Sequence, residues 1–307
     1  MFRAYVRRAP DARCVYRGTM RFAHVTSPSF PQPRLVVAED DRVTPVSELF
    51  TGAPATLEQL IAGGVEVLSQ VRAATGHAEN WMPLADCGYA SAVLNPPVII
   101  AIGLNYSAHS SELGLKTDDA PTVFTLWPNS LAGHDDTVQW PRKLSEAVDY
   151  EAELGVIIGS PVKNVAAEDA LNHVWGYTVV NDITARNIQF AEAQWSRCKS
   201  FDGFTPTGPF VVTADEIPDP QNLHIWTVLD GKTLQDASTG QMVRSVATLI
   251  AHLSGSATLL PGTLISTGSP GGAGYSRDPQ VFLRDRSTVT VGIDGIGALS
   301  THCRIVD

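Results

Sequence analysis

Three acidic residues offer the clearest chemistry in this sequence. Glu151 and Glu153 precede the β-branched run Val156-Ile157-Ile158, and Asp182 ends the apolar run that begins at Val179. Residues two apart on a strand point to the same face, so the two glutamates would lie side by side and repel each other. Three carboxylates delivered by sheet elements suit a hard divalent cation such as Mg²⁺ or Mn²⁺. The alternative is the solvated face of an edge strand, which the spacing alone favours.

A histidine, a further glutamate and a lysine could complete such a site. His109 and Glu112 are three residues apart and would share one face of a helical turn. A carboxylate beside an imidazole fixes its tautomer and raises its basicity, which a water-activating base requires. Lys199 is the basic residue that we expect to face the acids or an anionic substrate. Each of the three also has the simpler interpretation of an exposed polar side chain.

The elements that would position these residues are mostly strands. Strands are predicted at residues 22–25, 35–38, 98–102, 122–126, 137–141, 156–158, 224–229, 232–235 and 289–293, with one more from Leu264. Helices are predicted at 56–73, with Thr56 as N-cap, at 166–173 and at 242–254. Asp230-Gly231 predicts a hairpin turn. The glycine-rich loop 268–274 fits neither a P-loop nor GxGxxG; it is either a ligand-binding turn or a structural one.

The run Asn95-Pro96-Pro97 interrupts the pattern of elements and separates two regions of different character. The region before it contains no cluster of His, Asp or Glu, whereas all the candidate site residues follow it. We therefore predict a small N-terminal domain of residues 1–92 and a metal-binding catalytic domain of residues 93–307.

Composition excludes several classes of protein. The chain has 307 residues, a net charge of -10 and 44% hydrophobic residues, which is typical of a globular protein with ample core. A nucleic-acid partner is disfavoured because phosphate binding needs clustered Lys and Arg. No apolar run approaches the roughly 20 residues of a membrane span, and no apolar segment follows the basic residues of the N-terminus. We expect a cytoplasmic protein with no membrane partner and four free cysteines.

Seven short motifs become specific when they are taken in order. They are Gly103-Leu104-Asn105-Tyr106-x-x-His109, Asp149-Tyr150-Glu151-x-Glu153-Leu154-x-x-x-Ile158-Gly159, Gly176-Tyr177-Thr178-x-x-Asn181-Asp182, Arg186-x-x-Gln189, Lys199-Ser200-Phe201-Asp202, Gly208-Pro209 and Thr267-Gly268-Ser269-Pro270. Over roughly residues 95–300 the chain resembles the fumarylacetoacetate hydrolase family. The resemblance implies a strand-rich α+β fold, with a mixed β-sheet C-terminal domain behind a small N-terminal α/β domain. It also implies a homodimer.

The same resemblance implies roles for individual residues. Three acids correspond to the family's ligands for Mg²⁺ or Mn²⁺, with Ca²⁺ a further possible ion: Glu151, Glu153 and Asp182. His109 and Glu112 correspond to a water-activating dyad on a loop that orders over the substrate, and Lys199 is the third catalytic residue. Five further residues would bind the substrate: Arg186, Gln189, Tyr106, Thr267 and Gly268.

Departures from the family pattern affect the pocket lining more than the chemistry. Leu126 lies in a segment where the family usually has a lysine, and Cys198 replaces the glycine that commonly precedes the catalytic lysine. Asn187, Thr263 and Ser269 stand where Asp, Asp and Thr are usual. The departures therefore put the identity of the substrate in question.

The function implied by the resemblance is hydrolysis of a C–C bond in a 1,3-dioxo acid, such as an acylpyruvate or a fumarylpyruvate-like acid. Two alternatives use the same metal site: an oxo-acid decarboxylase, and an isomerase or cyclase acting on a larger enolisable intermediate. A non-catalytic binding protein is a third alternative. The retained carboxylates argue against it, because they repel one another and need a reason to be kept.

Overall fold

The computed structural model describes residues 20–112 and 120–307, so the expectations for Cys14 and for the basic N-terminal residues lie outside the described residues. The N-terminal part contains β1 (Arg21–Ser27), β2 (Phe30–Glu39), β3 (Arg42–Pro45), α1 (Leu57–Ala62), α2 (Gly64–Thr75), β4 (Met82–Pro83) and β5 (Gly88–Tyr89). The central part contains β6 (Ile99–Gly103), α3 (Ser107–Glu112), β7 (Thr122–Leu126), β8 (Leu131–Ala132), β9 (Thr137–Pro141), β10 (Val148–Asp149), β11 (Ala152–Ile158), β12 (Val174–Asn181), β13 (Thr184–Ala185), α4 (Arg186–Ala191) and β14 (Thr205–Thr213). The last part contains β15 (His224–Leu229), β16 (Lys232–Ser238), α5 (Val246–Ser256), β17 (Leu264–Ser266), β18 (Thr288–Ile293) and β19 (Gly297–Val306).

A mixed sheet of 12 strands dominates the described part of the chain. β1 pairs with β14, which joins the N-terminal strands β2 to β4 to a run of β12, β11, β17, β6 and β7. A five-stranded sheet contains β16, β15, β18, β19 and β9, while β10 pairs with β13. Most neighbours are antiparallel, but β17 and β6 are parallel, as are β19 and β9. The strand-rich α+β prediction is confirmed. The division at residues 92 and 93 stays a prediction.

β11 lies inside the large sheet and is buried along its whole length. Val156 and Ile158 pack in a core that also contains Val291 of β18, in the smaller sheet. Ile157 points to the opposite face and packs in a second core with Leu60 of α1. A strand covered on both faces reads as a continuous apolar run rather than as an alternation. That is why this run indicates a buried strand.

The predicted helices occur, with altered boundaries. Thr56 caps α1 as predicted, because its Oγ1 accepts a hydrogen bond from the backbone N–H of Gln59. The predicted helix 56–73 is divided into two by Gly63 and Gly64, the second of which has a left-handed φ of 62° that a continuing α-helix excludes. Ser245 caps α5, so that helix begins at Val246 instead of 242. The segment Ala167–His173 is a 3₁₀ helix.

The hairpin prediction and two of the bulk predictions can also be compared with the structure. Asp230 and Gly231 both have positive φ, 47° and 82°, and connect β15 to β16 as the tight turn that was predicted. Of the four cysteines, Cys87, Cys198 and Cys303 are described and all three are free thiols. Within residues 20–112 and 120–307, no helix has the length and apolar character needed to cross a bilayer.

Candidate active site

The three predicted metal ligands meet inside the protein. β11 and β12 pair antiparallel with Ala152 opposite Asn181, so the residues beside this pair, Glu151 and Asp182, come close to Glu153. Each of the three acids offers an oxygen within 4.8 Å of the others. All three are at most 3% exposed. The alternative of a solvated face on an edge strand is therefore wrong.

Lys199 supplies a positive charge to two of the acids. Its Nζ donates hydrogen bonds to Glu151 Oε2 and Asp182 Oδ2, both at 2.6 Å, and to Thr184 Oγ1 at 2.8 Å. Burial by itself would lower the pKa of Lys199, but the two carboxylates raise it above its ordinary value. The ammonium group therefore stays charged at any physiological pH.

Arg186 holds the other oxygen of the Glu151 carboxylate. Its Nη2 donates to Glu151 Oε1 at 2.7 Å, its Nε to Asp149 Oδ2 at 2.9 Å and its Nη1 to Gln189 Oε1 at 2.8 Å. Burial would raise the pKa of Glu151, but Lys199 and Arg186, followed by His109, hold it well below its usual range. Glu151 is thus a carboxylate that is permanently ionised.

Asp149 is the functional residue that sequence reasoning did not assign. It is fully buried and accepts hydrogen bonds from the backbone N–H groups of Gly274 and Tyr275, at 2.8 and 2.9 Å. A Cβ at Gly274 would lie 1.7 Å from the carbonyl oxygen of Val281, so only glycine allows this approach. Asp149 thereby ties the C-terminal glycine-rich loop to Arg186. Its position two residues before Glu151 was the available signal, because it continues the same period of two.

Glu153 and Asp182 provide the oxygens that suit a cation. Glu153 accepts from Ser266 Oγ at 2.6 Å and from the N–H of Gly268 at 2.8 Å, and its pKa lies well above the usual range because of burial and of the neighbouring charges of Asp182 and Glu151. Burial, partly opposed by Lys199, raises the pKa of Asp182 to about 6. Asp182 Oδ1 is buried and has no hydrogen-bond partner among the described residues. An all-oxygen set with one unpartnered carboxylate oxygen fits a hard divalent cation.

His109 faces the acids, whereas Glu112 does not contact it. His109 Nε2 lies 3.2 Å from Glu151 Oε1, and its buried Nδ1 has no partner among the described residues. Glu112 is exposed and accepts from the N–H of Gly272 at 2.9 Å and from Ser276 Oγ at 2.9 Å. In this arrangement the predicted dyad is not hydrogen-bonded, and Glu112 instead fastens α3 to the glycine-rich loop. The role of Glu112 in water activation stays a prediction.

The residues predicted to bind substrate fall into two groups. Arg186 and Gln189 lie at the acid cluster, and Gln189 lines the cavity together with His109 and Lys199. Thr267 and Gly268 use their polar atoms internally: Thr267 Oγ1 donates to the carbonyl of Leu154 at 2.9 Å, and the N–H of Gly268 donates to Glu153. The Tyr106 hydroxyl is buried without a partner among the described residues, and burial followed by the charge of Glu153 raises its pKa. Their roles toward substrate stay predictions.

Of the residues that depart from the family pattern, Ser269 lines the cavity and Cys198 directly precedes Lys199. Cys198 is buried, donates its thiol to the carbonyl of Trp195, and has a pKa raised to about 11 by burial, which disfavours the reactive thiolate. Ser269 lines the cavity and accepts from Gln235 Nε2 at 2.9 Å. Leu126 is buried in the core that contains α1. Asn187 donates to the carbonyl of Leu144, while Thr263 is buried beside β17.

The cavity above the acids has an aromatic wall that the sequence did not reveal. It is narrow, with an accessible volume of only ≈ 10 Å³, and is bounded by Phe124 of β7 and by Trp195 as well as by the acids. The two rings meet edge to face, with centroids 5.6 Å apart. Seventy-one positions separate them in the chain, so no local pattern could have predicted the contact.

The fold and this cavity together define a class of protein: an enzyme whose buried acids could hold a divalent cation. A family model described as the C-terminal domain of fumarylacetoacetate hydrolase matches residues 98–304. The chain therefore belongs to the fumarylacetoacetate hydrolase family, as the motifs predicted.

Similar proteins carry several different names. A protein of Burkholderia ambifaria named "Putative hydrolase" is 46% identical over 200 residues, which cover 64% of this chain and 71% of that protein. The structure of a fumarylacetoacetate hydrolase from Exiguobacterium antarcticum is 32% identical with a TM-score of 0.81, covering 94% of this chain and 100% of that one. A 5-carboxymethyl-2-hydroxymuconate delta-isomerase from Mycobacterium smegmatis is 28% identical with a TM-score of 0.73 and the same coverage. The family thus includes both hydrolases and isomerases.

Proposed function

We propose that this protein is a divalent-metal-dependent hydrolase that cleaves a C–C bond in a 1,3-dioxo acid. Water adds its hydroxyl to the acyl carbonyl, the bond between that carbon and the methylene carbon breaks, and the methylene carbon takes up a proton. The products are a carboxylic acid and a shorter 2-oxo acid. The observation that carries the proposal is the buried set of Glu151, Glu153 and Asp182, which shares its cavity with His109.

Charge balance supports a bound cation at this cluster. Four buried acids, counting Asp149, stand against the two cations Lys199 and Arg186. A bound Mg²⁺ or Mn²⁺ would balance the remaining charge and supply Lewis-acid polarisation of the substrate carbonyls. Glu151, Glu153 and Asp182 would hold the ion, and the N–H of Gly268 and Ser266 Oγ would keep Glu153 oriented.

His109 is the proposed base. The contact of His109 Nε2 with Glu151 Oε1 suits the tautomer that carries its proton on Nε2. That tautomer leaves Nδ1 as the nitrogen that can accept a proton from water. Since Nδ1 is buried and has no partner in the described part of the chain, its lone pair is not already engaged. Positioned general bases contribute about 10² to 10⁴ in rate.

Lys199 acts first on the protein and only then on the substrate. Its contacts with Glu151, Asp182 and Thr184 account for the three hydrogens of the ammonium group. Lys199 therefore keeps the two acids ionised and in place. To stabilise an enolate oxygen of the leaving group, it would have to exchange one of these partners, and the neutral Thr184 is the weakest of them.

An isomerase or a decarboxylase is the second candidate, and one observation favours it. Glu112 is hydrogen-bonded to Gly272 and Ser276 and not to His109, so the orienting acid of a hydrolytic dyad is absent in this arrangement. Isomerisation and decarboxylation need no attacking water. The isomerase from Mycobacterium smegmatis described above belongs to this second class by its name.

Product analysis distinguishes the candidates. The purified protein is incubated with an acylpyruvate, with oxaloacetate and with an enolisable hydroxymuconate-type acid, with and without Mg²⁺ or Mn²⁺. Hydrolysis should give two acids only when the cation is present. His109→Ala should lose about 10² to 10⁴ of that rate while its Mn²⁺ affinity stays unchanged, and His302→Ala serves as a matched control on the other sheet. Carbon dioxide release, or an isomer without cleavage, at a rate insensitive to His109→Ala would reject the hydrolase in favour of the second candidate.

A further inference from the structure

The cavity lining is divided between a charged floor and an apolar wall. The floor consists of the acid cluster with Lys199 and His109. The wall consists of Ile102 and Leu104 at the end of β6, together with two aromatic residues: Phe124 and Trp195. Within the described lining, this wall is the apolar surface available to the remaining arm of a substrate whose oxo acid end lies at the floor.

The two cations that the structure places at the floor, Lys199 and Arg186, are already engaged. Lys199 is the one cationic side chain lining the cavity within residues 20–112 and 120–307, and it bonds two carboxylates. Arg186, behind it, bonds Asp149, Glu151 and Gln189. Hence these contacts leave no described cation to neutralise a charge on the arm. Gln189 and Ser269, which also line the cavity, are neutral and can only hydrogen-bond.

The wall is held in place by close packing. A Cβ on Gly103 would lie 2.4 Å from Cζ3 of Trp195, so the indole ring lies directly against the backbone of β6. The ring of Phe124 supports it from the side, at 5.6 Å between centroids. Leu104 adopts a left-handed φ of 57°, which strains a residue with a side chain. An apolar side chain kept at the cavity in a strained conformation indicates a selected surface.

We propose, building on the hydrolase function above, that the acyl arm of the substrate is short, uncharged and apolar, and that acids with a second carboxylate on this arm are rejected. A carboxylate against the wall would lose its hydration and meet no free cation among residues 20–112 and 120–307, while the floor beneath it is rich in acids. Unpaired buried charge is an effective means of discrimination between similar substrates. A neutral alkyl or aryl arm, in contrast, is attracted by the aromatic rings.

The test compares two series of acylpyruvates with matched chain lengths. One series ends in a methyl group and the other in a carboxylate, and kcat/KM is measured for both with Mg²⁺ or Mn²⁺ present. We expect the neutral series to be favoured by about 100-fold at equal length. A ratio below about 10 overturns the inference. If the carboxylate series is cleaved as well as the neutral one, the proposed function stands and only the inference fails, whereas no cleavage in either series rejects the proposed function itself.

Two variants assign the discrimination to the wall. Trp195→Ala should raise kcat/KM for longer neutral arms relative to short ones and leave the carboxylate series poor. Trp127→Ala is the matched control, because its side chain is 45% exposed and does not line the cavity. If Trp195→Ala fails to fold, Leu104→Gly widens the same wall while it removes the backbone strain. If the folded variants Trp195→Ala and Leu104→Gly both keep the wild-type dependence of kcat/KM on arm length, the assignment to the wall is overturned.

Discussion

Of the basic side chains that lie between two carboxylates in the described part of the chain, Lys199 and His224 form an informative pair because they differ mainly in burial. Lys199 lies between Glu151 and Asp182, where the three side chains are 3%, 5% and 1% exposed. His224 lies between Asp236 and Asp294 on the surface, where the exposures are 42%, 74% and 55%. The bonding pattern is the same. The surroundings differ. In the buried cluster each charge needs its partners, because water does not solvate it there.

The reason is the cost of removing charges from water. An exposed ion pair is screened by solvent and contributes roughly 0–1 kcal/mol to stability. A buried pair loses several kcal/mol per ion in hydration, which its mutual attraction only approximately offsets. The buried cluster is therefore poor evidence of a stabilising device. It is better explained as the part of the fold that is kept for chemistry, in agreement with the proposed metal site.

The largest effect is expected from removal of the central carboxylate charge. Glu151→Gln keeps the shape of the side chain but deprives Arg186, Lys199 and His109 of their common partner. Turnover should be lost almost completely. Mn²⁺ affinity, measured by isothermal titration calorimetry, should fall by more than the roughly 100-fold that loss of an outer partner produces. Glu192→Gln, at the exposed pair with Arg197, is the control. Unchanged Mn²⁺ affinity in folded Glu151→Gln would reject the metal site.

The next largest effect should come from removing the buried cation. Without metal, Lys199→Met leaves Asp182 buried without a cationic partner and Glu151 with Arg186 alone, and it should lower the free energy of unfolding by about 3–5 kcal/mol, as measured in urea. Mn²⁺ should restore part of this loss, because a bound dication replaces the missing charge. Lys163→Met should change stability little, because among the described residues the Lys163 ammonium group contacts only the carbonyl of Gly255, at 3.4 Å. Equal effects of the two substitutions would contradict the conclusion that burial makes the Lys199 charge important for stability.

Most of this cluster could be predicted from the sequence, because its members are recognisable from neighbouring residues in the chain. Glu151 and Glu153 share a face by their spacing, and Asp182 ends a strand that pairs with theirs. Burial could not be read from the spacing, since a strand's surroundings depend on distant elements such as β17, more than 100 residues away. The role of Asp149 was not predicted for a related reason. It accepts hydrogen bonds from the N–H groups of Gly274 and Tyr275, and a sequence motif of side chains does not reveal backbone partners.

The long-range parts of the fold were harder to predict than the elements themselves. The hairpin at Asp230-Gly231 and the cap at Thr56 follow from neighbouring residues and were confirmed. The pairing of β1 with β14 depends on residues about 190 positions apart, and no local signal specifies it. The contact of Glu112 with the glycine-rich loop is also nonlocal, and it competes with the local pairing to His109 that helical spacing suggested.

A smaller effect is expected when pH is changed at the same buried cluster. Burial raises the pKa of Asp182 to about 6, and that of Glu153 lies well above its ordinary range. Protons therefore compete with a cation for Glu153, and for Asp182 as pH falls through 6, whereas Glu151 stays ionised. Mn²⁺ affinity should fall by at least about tenfold between pH 7 and pH 5. An affinity that is constant over this range would mean that both acids are already ionised in the metal-free protein.

The smallest effect should occur at the exposed counterpart. Burial opposes the charged form of His224, but the hydrogen bonds to Asp236 and Asp294 and the charges of these two acids together raise its pKa above the ordinary 6.5. A raised folded-state pKa stabilises the fold fully below 6.5, and this contribution disappears as pH rises through the folded-state value. His224→Gln should therefore lower the free energy of unfolding at pH 5.5 by about 0.2–1 kcal/mol, and by less at pH 8.5. A loss near that of Lys199→Met would show that bonding pattern, and not burial, decides how much such a cluster contributes to the free energy of unfolding.

High salt offers an independent check, because it should reduce the His224 contribution to stability and leave that of the buried cluster nearly unaffected.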